Sequence, residues 1–219
     1  MSAPRSRGMP RRSTERLPGR RSSGPLIWIA LAVIVVVAAV AAILLTSGAG
    51  GPTAEPAPRL TVSGAALPML PAEGTDPAVG ATLPTLTGTA LDGSALVIGP
   101  TGTPQVVAVV AHWCSNCQAE VPRIVTWLRD NSLPGGVTLT TLSTSIDPAR
   151  PNFPPSAWLR REGWTAPVLT DDAASSGLAA LGISGFPGFV FVNGDGTVAG
   201  RMVGQIDPEQ LASIAATLH

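Results

Sequence analysis

Residues Gln105 to Ala111 (QVVAVVA) form a continuous apolar run bounded by Pro104 and a polar cluster. A run of that length without alternation is expected of a central strand covered on both faces, which points to an α/β domain. Directly after it, Cys117, Val121, Ile124, Val125 and Leu128 recur at helical spacing. The spacing predicts a helix over Ser115 to Asp130 with one buried stripe. Pro134-Gly135-Gly136 ends that helix, and Val137 to Ser143 is again β-rich. Strand, helix and strand in this order imply a right-handed crossover and parallel pairing.

The flanking sequence completes the element order. Thr85 to Ile98, with Asp92-Gly93 in its middle, reads as a β-hairpin. Ser145 to Pro155 carries four prolines and is expected to be irregular. Two short helices are predicted, Ser156 to Glu162 and Ala173 to Leu181, with a short strand at Val168 and Leu169 between them. Phe189 to Val192 and Thr197 to Val203 flank the turn Asn193-Gly194-Asp195-Gly196, a second hairpin. Asp207 as N-cap, Pro208 at the first helical position and Gln210 two residues on open a terminal helix whose apolar face is Leu211, Ile214 and Leu218.

Charge placement separates this domain from what precedes it. The formal net charge is zero, yet seven of the 14 basic residues lie before position 26, opposed only by Glu15, which leaves +6 there and −6 over the remainder. An acidic remainder argues against a nucleic-acid partner, whose affinity is built from clustered Lys and Arg. Leu26 to Leu45 are 20 consecutive apolar residues, and at 1.5 Å per residue they reach about 30 Å, the thickness of a bilayer core. With an arginine-rich flank before it, this run is expected to be a transmembrane helix with the N-terminus cytoplasmic and the rest outside. A cleaved signal peptide is the rival reading, with Ser47 and Ala49 as its small cleavage residues, although such apolar regions usually run about 7 to 15 residues. The expected organisation is therefore a basic cytoplasmic segment over 1–25, a transmembrane helix over 26–45, a Pro/Gly-rich linker over 46–78 and a folded domain over 79–219. Within the linker, the apolar stretch Leu60 to Leu70 has the composition to dock on the domain.

The chemistry is concentrated in Trp113-Cys114-Ser115-Asn116-Cys117, where the central strand runs into the helix; the chain has no other cysteine. A helix N-terminus offers unpaired N–H groups and a positive dipole end, both of which stabilise a thiolate at Cys114. The spacing puts both sulfurs on one side of the first turn. A Cys114 thiolate would attack a substrate disulfide, and Cys117, on the buried stripe, would then attack Cys114 and release the reduced substrate; run backwards, the same steps oxidise one. Residue 118 is Gln rather than His, which excludes covalent haem attachment on this motif. Zinc would need further ligands, and only His112 and carboxylates are at hand. A merely structural disulfide of this spacing closes too small a loop to constrain much chain.

These residues resemble the membrane-anchored, exported thioredoxin-fold disulfide oxidoreductases of the TlpA/ResA type. The likeness rests on Leu91-Asp92-Gly93, on Trp113-Cys114-x-x-Cys117-x-x-Glu120-x-Pro122, on Gly185-Phe186-Pro187 and on the Phe-Val-Phe-Val-Asn-Gly-Asp-Gly hairpin that follows. It implies a thioredoxin fold, with a central mixed sheet flanked by helices, an N-terminal β-hairpin and a helical insertion. It further implies that Pro187 is cis beside the cysteines, with the Phe186 backbone binding the substrate strand, and that Trp113 covers the disulfide. Glu120 would tune the protonation of the cysteines; read from the helix alone it is an exposed carboxylate pairing with Arg123 or solvent. Pro122 would bend the helix.

Three positions depart from the pattern. Ala108 stands where ordinary thioredoxins carry a buried aspartate, so proton transfer for Cys117 would use Glu120 or water. Gly188 replaces the usual threonine after the cis proline. His112 is an uncommon neighbour for the tryptophan, either a satisfied strand residue or a proton shuttle. The resemblance favours a reductase of exported proteins, for instance of apocytochrome cysteines, fed by a membrane electron donor of the CcdA/DsbD type. A DsbA-like oxidant is the alternative, and an anchored binding module with a structural disulfide is the alternative of another class. No cofactor and no metal are implied, and a monomer is expected.

Overall fold

The structure is a computed structural model that describes residues 29, 33–37 and 59–219. The chain divides into two compact units, Met1–Gly51 and Pro52–His219. In the first, residues 29 and 33–37 are helical and exposed. Among the described residues no helix is long and apolar enough to cross a membrane. The span expected over 26–45 lies mostly outside the described residues, as do the basic segment 1–25 and positions 46–58 of the expected linker.

The second unit runs β1 (Leu60–Ser63), β2 (Thr85–Thr89), β3 (Ala95–Ile98), β4 (Gln105–Val110), α1 (Ser115–Asp130), β5 (Thr138–Ser143), α2 (Pro155–Glu162), β6 (Val168–Thr170), α3 (Ser176–Leu181), β7 (Gly188–Val192), β8 (Val198–Val203) and α4 (Pro208–Ala215), with a 3-10 turn at Pro134–Gly136. Five strands form a mixed sheet in the order β6-β5-β4-β7-β8. β4, β5 and β6 are parallel, and β7 and β8 run antiparallel to their neighbours. All six residues of β4 are buried, because alternate side chains enter two different cores. Val106, Ala108 and Val110 join Cys117, Val121 and Ile124 of α1, Trp158 of α2 and Leu211 of α4. Val107 and Val109 meet Leu83, Leu86, Leu142, Leu181 and Val190 on the other face. Each aliphatic side chain buried this completely contributes about 1.5–3 kcal/mol.

The folded unit extends further towards the N-terminus than the expected boundary at residue 79. β1 pairs antiparallel with β2, making a three-stranded sheet with β3. Leu67 and Ala78 are buried in the second core. Asp76 is bound by Arg201, whose Nη2 lies 2.6 Å from Asp76 Oδ1 while Nη1 donates to the carbonyls of Leu181 (2.7 Å) and Gly182 (3.1 Å). Gly182, the C-cap of α3 at φ +59°, is required there: a Cβ would stand 2.5 Å from Arg201 Nη1 and would strike the Pro68 carbonyl. Residues 59–78 therefore belong to the domain, and burial alternates along Leu60–Ser63 as it does in a half-buried strand.

Candidate active site

α1 begins where β4 ends, and Cys114 is its N-cap, with extended backbone at φ −73°, ψ 120°. The half-buried Sγ accepts the Cys117 N–H at 3.4 Å, one of the orphan donors of the first helical turn. On its other side Sγ lies 3.6 Å from the carbonyl oxygen of Phe186, to which the thiol donates. The Phe186-Pro187 peptide is cis. Ser115 and Asn116 are exposed and Cys117 is fully buried, so one sulfur faces outward and the other faces the core. Burial pushes the Cys117 thiol far above the ordinary cysteine range, and the hydrogen bond and charge of Cys114 and the charge of Glu120 push it further.

Glu120, three residues beyond Cys117 and on the same helix face, is only 1% exposed. Its Oε1 accepts the Ile206 N–H at 3.0 Å and its Oε2 lies 3.3 Å from Arg123 Nη1. Arg123 also reaches Asp207, the N-cap of α4, at 3.4 Å. Of the two readings of Glu120, the pairing with Arg123 is present, but the carboxylate is buried rather than exposed. No carboxylate enters from β4, where Ala108 is packed against Cys117 and Val121 in the same core. α1 continues through Pro122, whose carbonyl accepts the Thr126 hydroxyl at 2.8 Å.

Trp113 stands between Cys114 and the loop that follows β5. Its Nε1–H donates to the Ser145 carbonyl at 2.7 Å, and its ring meets Phe186 edge-on at 5.9 Å between centroids. The Arg150 guanidinium lies 4.4 Å from the indole centroid. The Cys117 N–H and the Phe186 carbonyl, from segments about 70 residues apart in sequence, thus meet at the Cys114 sulfur, with Trp113 packed on Phe186 and Pro187 following it through the cis bond. Gly188 in the position after Pro187 has a local cause: a Cβ there would lie 2.7 Å from Ile183 Cγ2.

The sequence did not reveal the framework around His112. This side chain is fully buried; its Nε2 accepts the Asp147 N–H at 3.2 Å and its Nδ1 lies 2.7 Å from the Pro151 carbonyl. A nitrogen that accepts from an amide cannot carry a proton, so the pair of contacts selects the neutral tautomer with the proton on Nδ1. The carbonyl of His112 accepts from Gln118 and Asn152. His112 is therefore a clamp for the Pro-rich loop, and a second cis peptide, Phe153-Pro154, lies at the end of that loop. Among the described residues no three His, Cys, Asp or Glu side chains gather to hold a metal ion.

Residues 91–219 match the family described as thioredoxin-like domain. No curated protein matches the chain. Among solved structures, StoA from Bacillus subtilis superimposes with a TM-score of 0.52 at 19% identity, covering 63% of this chain and 98% of its own. A Chlorobium tepidum protein described as thiol:disulfide interchange protein DsbE gives 0.54 at 17% identity, with 65% and 97% covered. MTB dsbF, solved in mixed oxidised and reduced forms, gives 0.50 at 23% identity, with 61% and 94% covered. At these identities the likeness is one of fold.

Proposed function

The chain belongs to the family of thioredoxin-like domains, and on that premise we propose that it is a thiol:disulfide oxidoreductase working outside the cytoplasm as a TlpA-like reductase of exported proteins. The observation that carries this reading is the placement of Cys114: an N-cap sulfur 3.6 Å from the Phe186 carbonyl, with the buried Cys117 one turn behind it.

The Cys114 thiolate attacks one sulfur of a substrate disulfide, forming a mixed disulfide and expelling the other substrate sulfur as a thiolate, which takes up a proton. Cys117 then loses its proton and attacks Cys114 Sγ, forming the Cys114–Cys117 disulfide and releasing the second substrate thiol. Two electrons and two protons pass from the dithiol to the substrate. Loss of the Cys114 charge in the mixed disulfide removes one of the effects that hold the Cys117 thiol protonated. Glu120, buried one turn beyond Cys117 on the same helix, supports this reading as the carboxylate that would receive that proton.

Insulin reduction by dithiothreitol tests this reading. Acceleration by the chain should vanish with Cys114→Ser; acceleration that survives it would remove Cys114 from the mechanism and favour a binding module whose cysteines are structural.

The direction follows from how well the thiolate is stabilised. Among the described residues one donor, the Cys117 N–H, reaches Cys114 Sγ, which supports a reductase over a DsbA-like oxidant. A reduction potential above about −180 mV would reverse that assignment. The basic segment 1–25 and the apolar run 26–45 support a single-pass membrane anchor with the domain outside. A CcdA/DsbD-type membrane donor would return the disulfide to the dithiol, and apocytochrome cysteines are one substrate class suited to such a position.

A further inference from the structure

We propose that Arg150 is a specificity-determining residue that selects substrate segments carrying a carboxylate next to the target disulfide. The inference rests on the thiol-exchange reading and adds to it the substrate chemistry.

The Arg150 guanidinium lies over the Trp113 ring, 4.4 Å from its centroid, and the same indole packs edge-on against Phe186 and precedes Cys114. Arg150 is thus linked through Trp113 to Phe186, whose carbonyl lies beside Cys114, the place a substrate disulfide would reach. Its position is fixed from both sides. Trp113 holds the Ser145 carbonyl and His112 holds the Asp147 N–H before it; His112 also holds the Pro151 carbonyl, and Asn152 donates to the His112 carbonyl, after it. Asn152 Oδ1 in turn accepts from Arg161 at 2.8 Å. A guanidinium on an ordered loop, stacked on an indole, loses little freedom when it binds a carboxylate.

The charge of Arg150 is also uncommitted. It is exposed, and among the described residues no carboxylate lies within ion-pair distance of it. The carboxylate of neighbouring Asp147 is turned to the Ala149 N–H at 2.9 Å instead. Ser115 and Asn116, the exposed residues between the cysteines, are neutral, and Glu120 is buried. The rim of the site therefore carries a guanidinium outside any of these ion pairs, and a rim charge of this kind sets partner preference and encounter rate.

The test uses the pre-reduced full chain and two synthetic disulfide peptides, identical except that glutamates or lysines flank the cystine. Second-order rates of oxidation of the Cys114/Cys117 pair are measured at low and high salt. The wild type should favour the glutamate peptide by about three- to tenfold at low salt, with the preference shrinking at high salt. Arg150→Lys should keep the order and Arg150→Glu should invert it. Because each preference is a ratio measured on one sample, it does not depend on how much of a variant is folded. An equal ratio in wild type and Arg150→Glu, or a wild-type ratio near one that salt does not move, overturns the proposal. If both peptides react without regard to charge, only the role of Arg150 fails; if neither oxidises the cysteine pair, the thiol-exchange reading fails with it.

Discussion

The Glu120 carboxylate accepts the Ile206 N–H at 3.0 Å, which ties the buried acid behind Cys117 to the segment leading into α4. Ala108 fills the place on the central strand where an ordinary thioredoxin carries its acid; in the proposed mechanism the acid comes instead from the helix, one turn beyond Cys117.

This arrangement predicts a pH-dependent phenotype for Glu120→Gln, which keeps an acceptor for Ile206 but cannot take up a proton. Near neutral pH the release of substrate from the mixed disulfide should slow by about 100-fold or more. The deficit should shrink in alkali: the Glu120 charge raises the Cys117 pKa, so its removal makes Cys117 easier to ionise, and hydroxide replaces the carboxylate as proton acceptor. Stopped-flow measurement of the second step across pH checks this. A deficit of constant size at every pH would mean that Glu120 acts only as a structural bond.

Asp76 and Arg201 form a buried pair, with Arg201 fully enclosed and the carboxylate 10% exposed. Burial alone would raise the Asp76 carboxyl, but the hydrogen bonds from Arg201 and from the Ala78 N–H outweigh it and hold the group below its usual 3.8. A depressed folded pKa stabilises the fold above the unfolded value and loses that contribution as pH falls through the folded value. Asp76→Asn strands a buried guanidinium and should cost about 3 kcal/mol at neutral pH. It should also flatten the acid side of the stability curve below about pH 4, read by denaturant unfolding at several pH values. An unchanged acid slope would contradict this account.

His112→Phe keeps a ring of similar shape but leaves the Asp147 N–H and the Pro151 carbonyl without their partners. The expected cost is about 2–3 kcal/mol, with faster amide exchange at Asp147. A variant as stable as wild type, with the Asp147 amide still protected, would show that other contacts hold the loop.

Much of the domain was legible because its signals are local. The limits of α1, Ser115 and Asp130, follow from helical spacing; β4 follows from its unbroken apolar run, and Asp207 caps α4 through the Glu209 N–H at 3.0 Å. The contacts that were not legible are long-range. Asp76 and Arg201 are 125 residues apart, and nothing near either announces the other. Composition also misled: the prolines and glycines of 46–78 read as linker, although Leu60 to Ser63 alternate as a strand does and the segment from residue 59 packs on the domain. Around the cysteines, the spacing placed Cys117 on the helix and Cys114 at its N-terminus, whereas the loop carrying Arg150 is brought to Trp113 by tertiary contacts alone.

The most direct test is to trap the intermediate. With Cys117→Ser the second step cannot occur, so incubation with a disulfide peptide should accumulate a covalent adduct, and mass spectrometry after digestion should locate it on Cys114. An adduct that forms on Cys117 in a Cys114→Ser chain at a comparable rate, or the absence of any adduct on Cys114, would contradict the account.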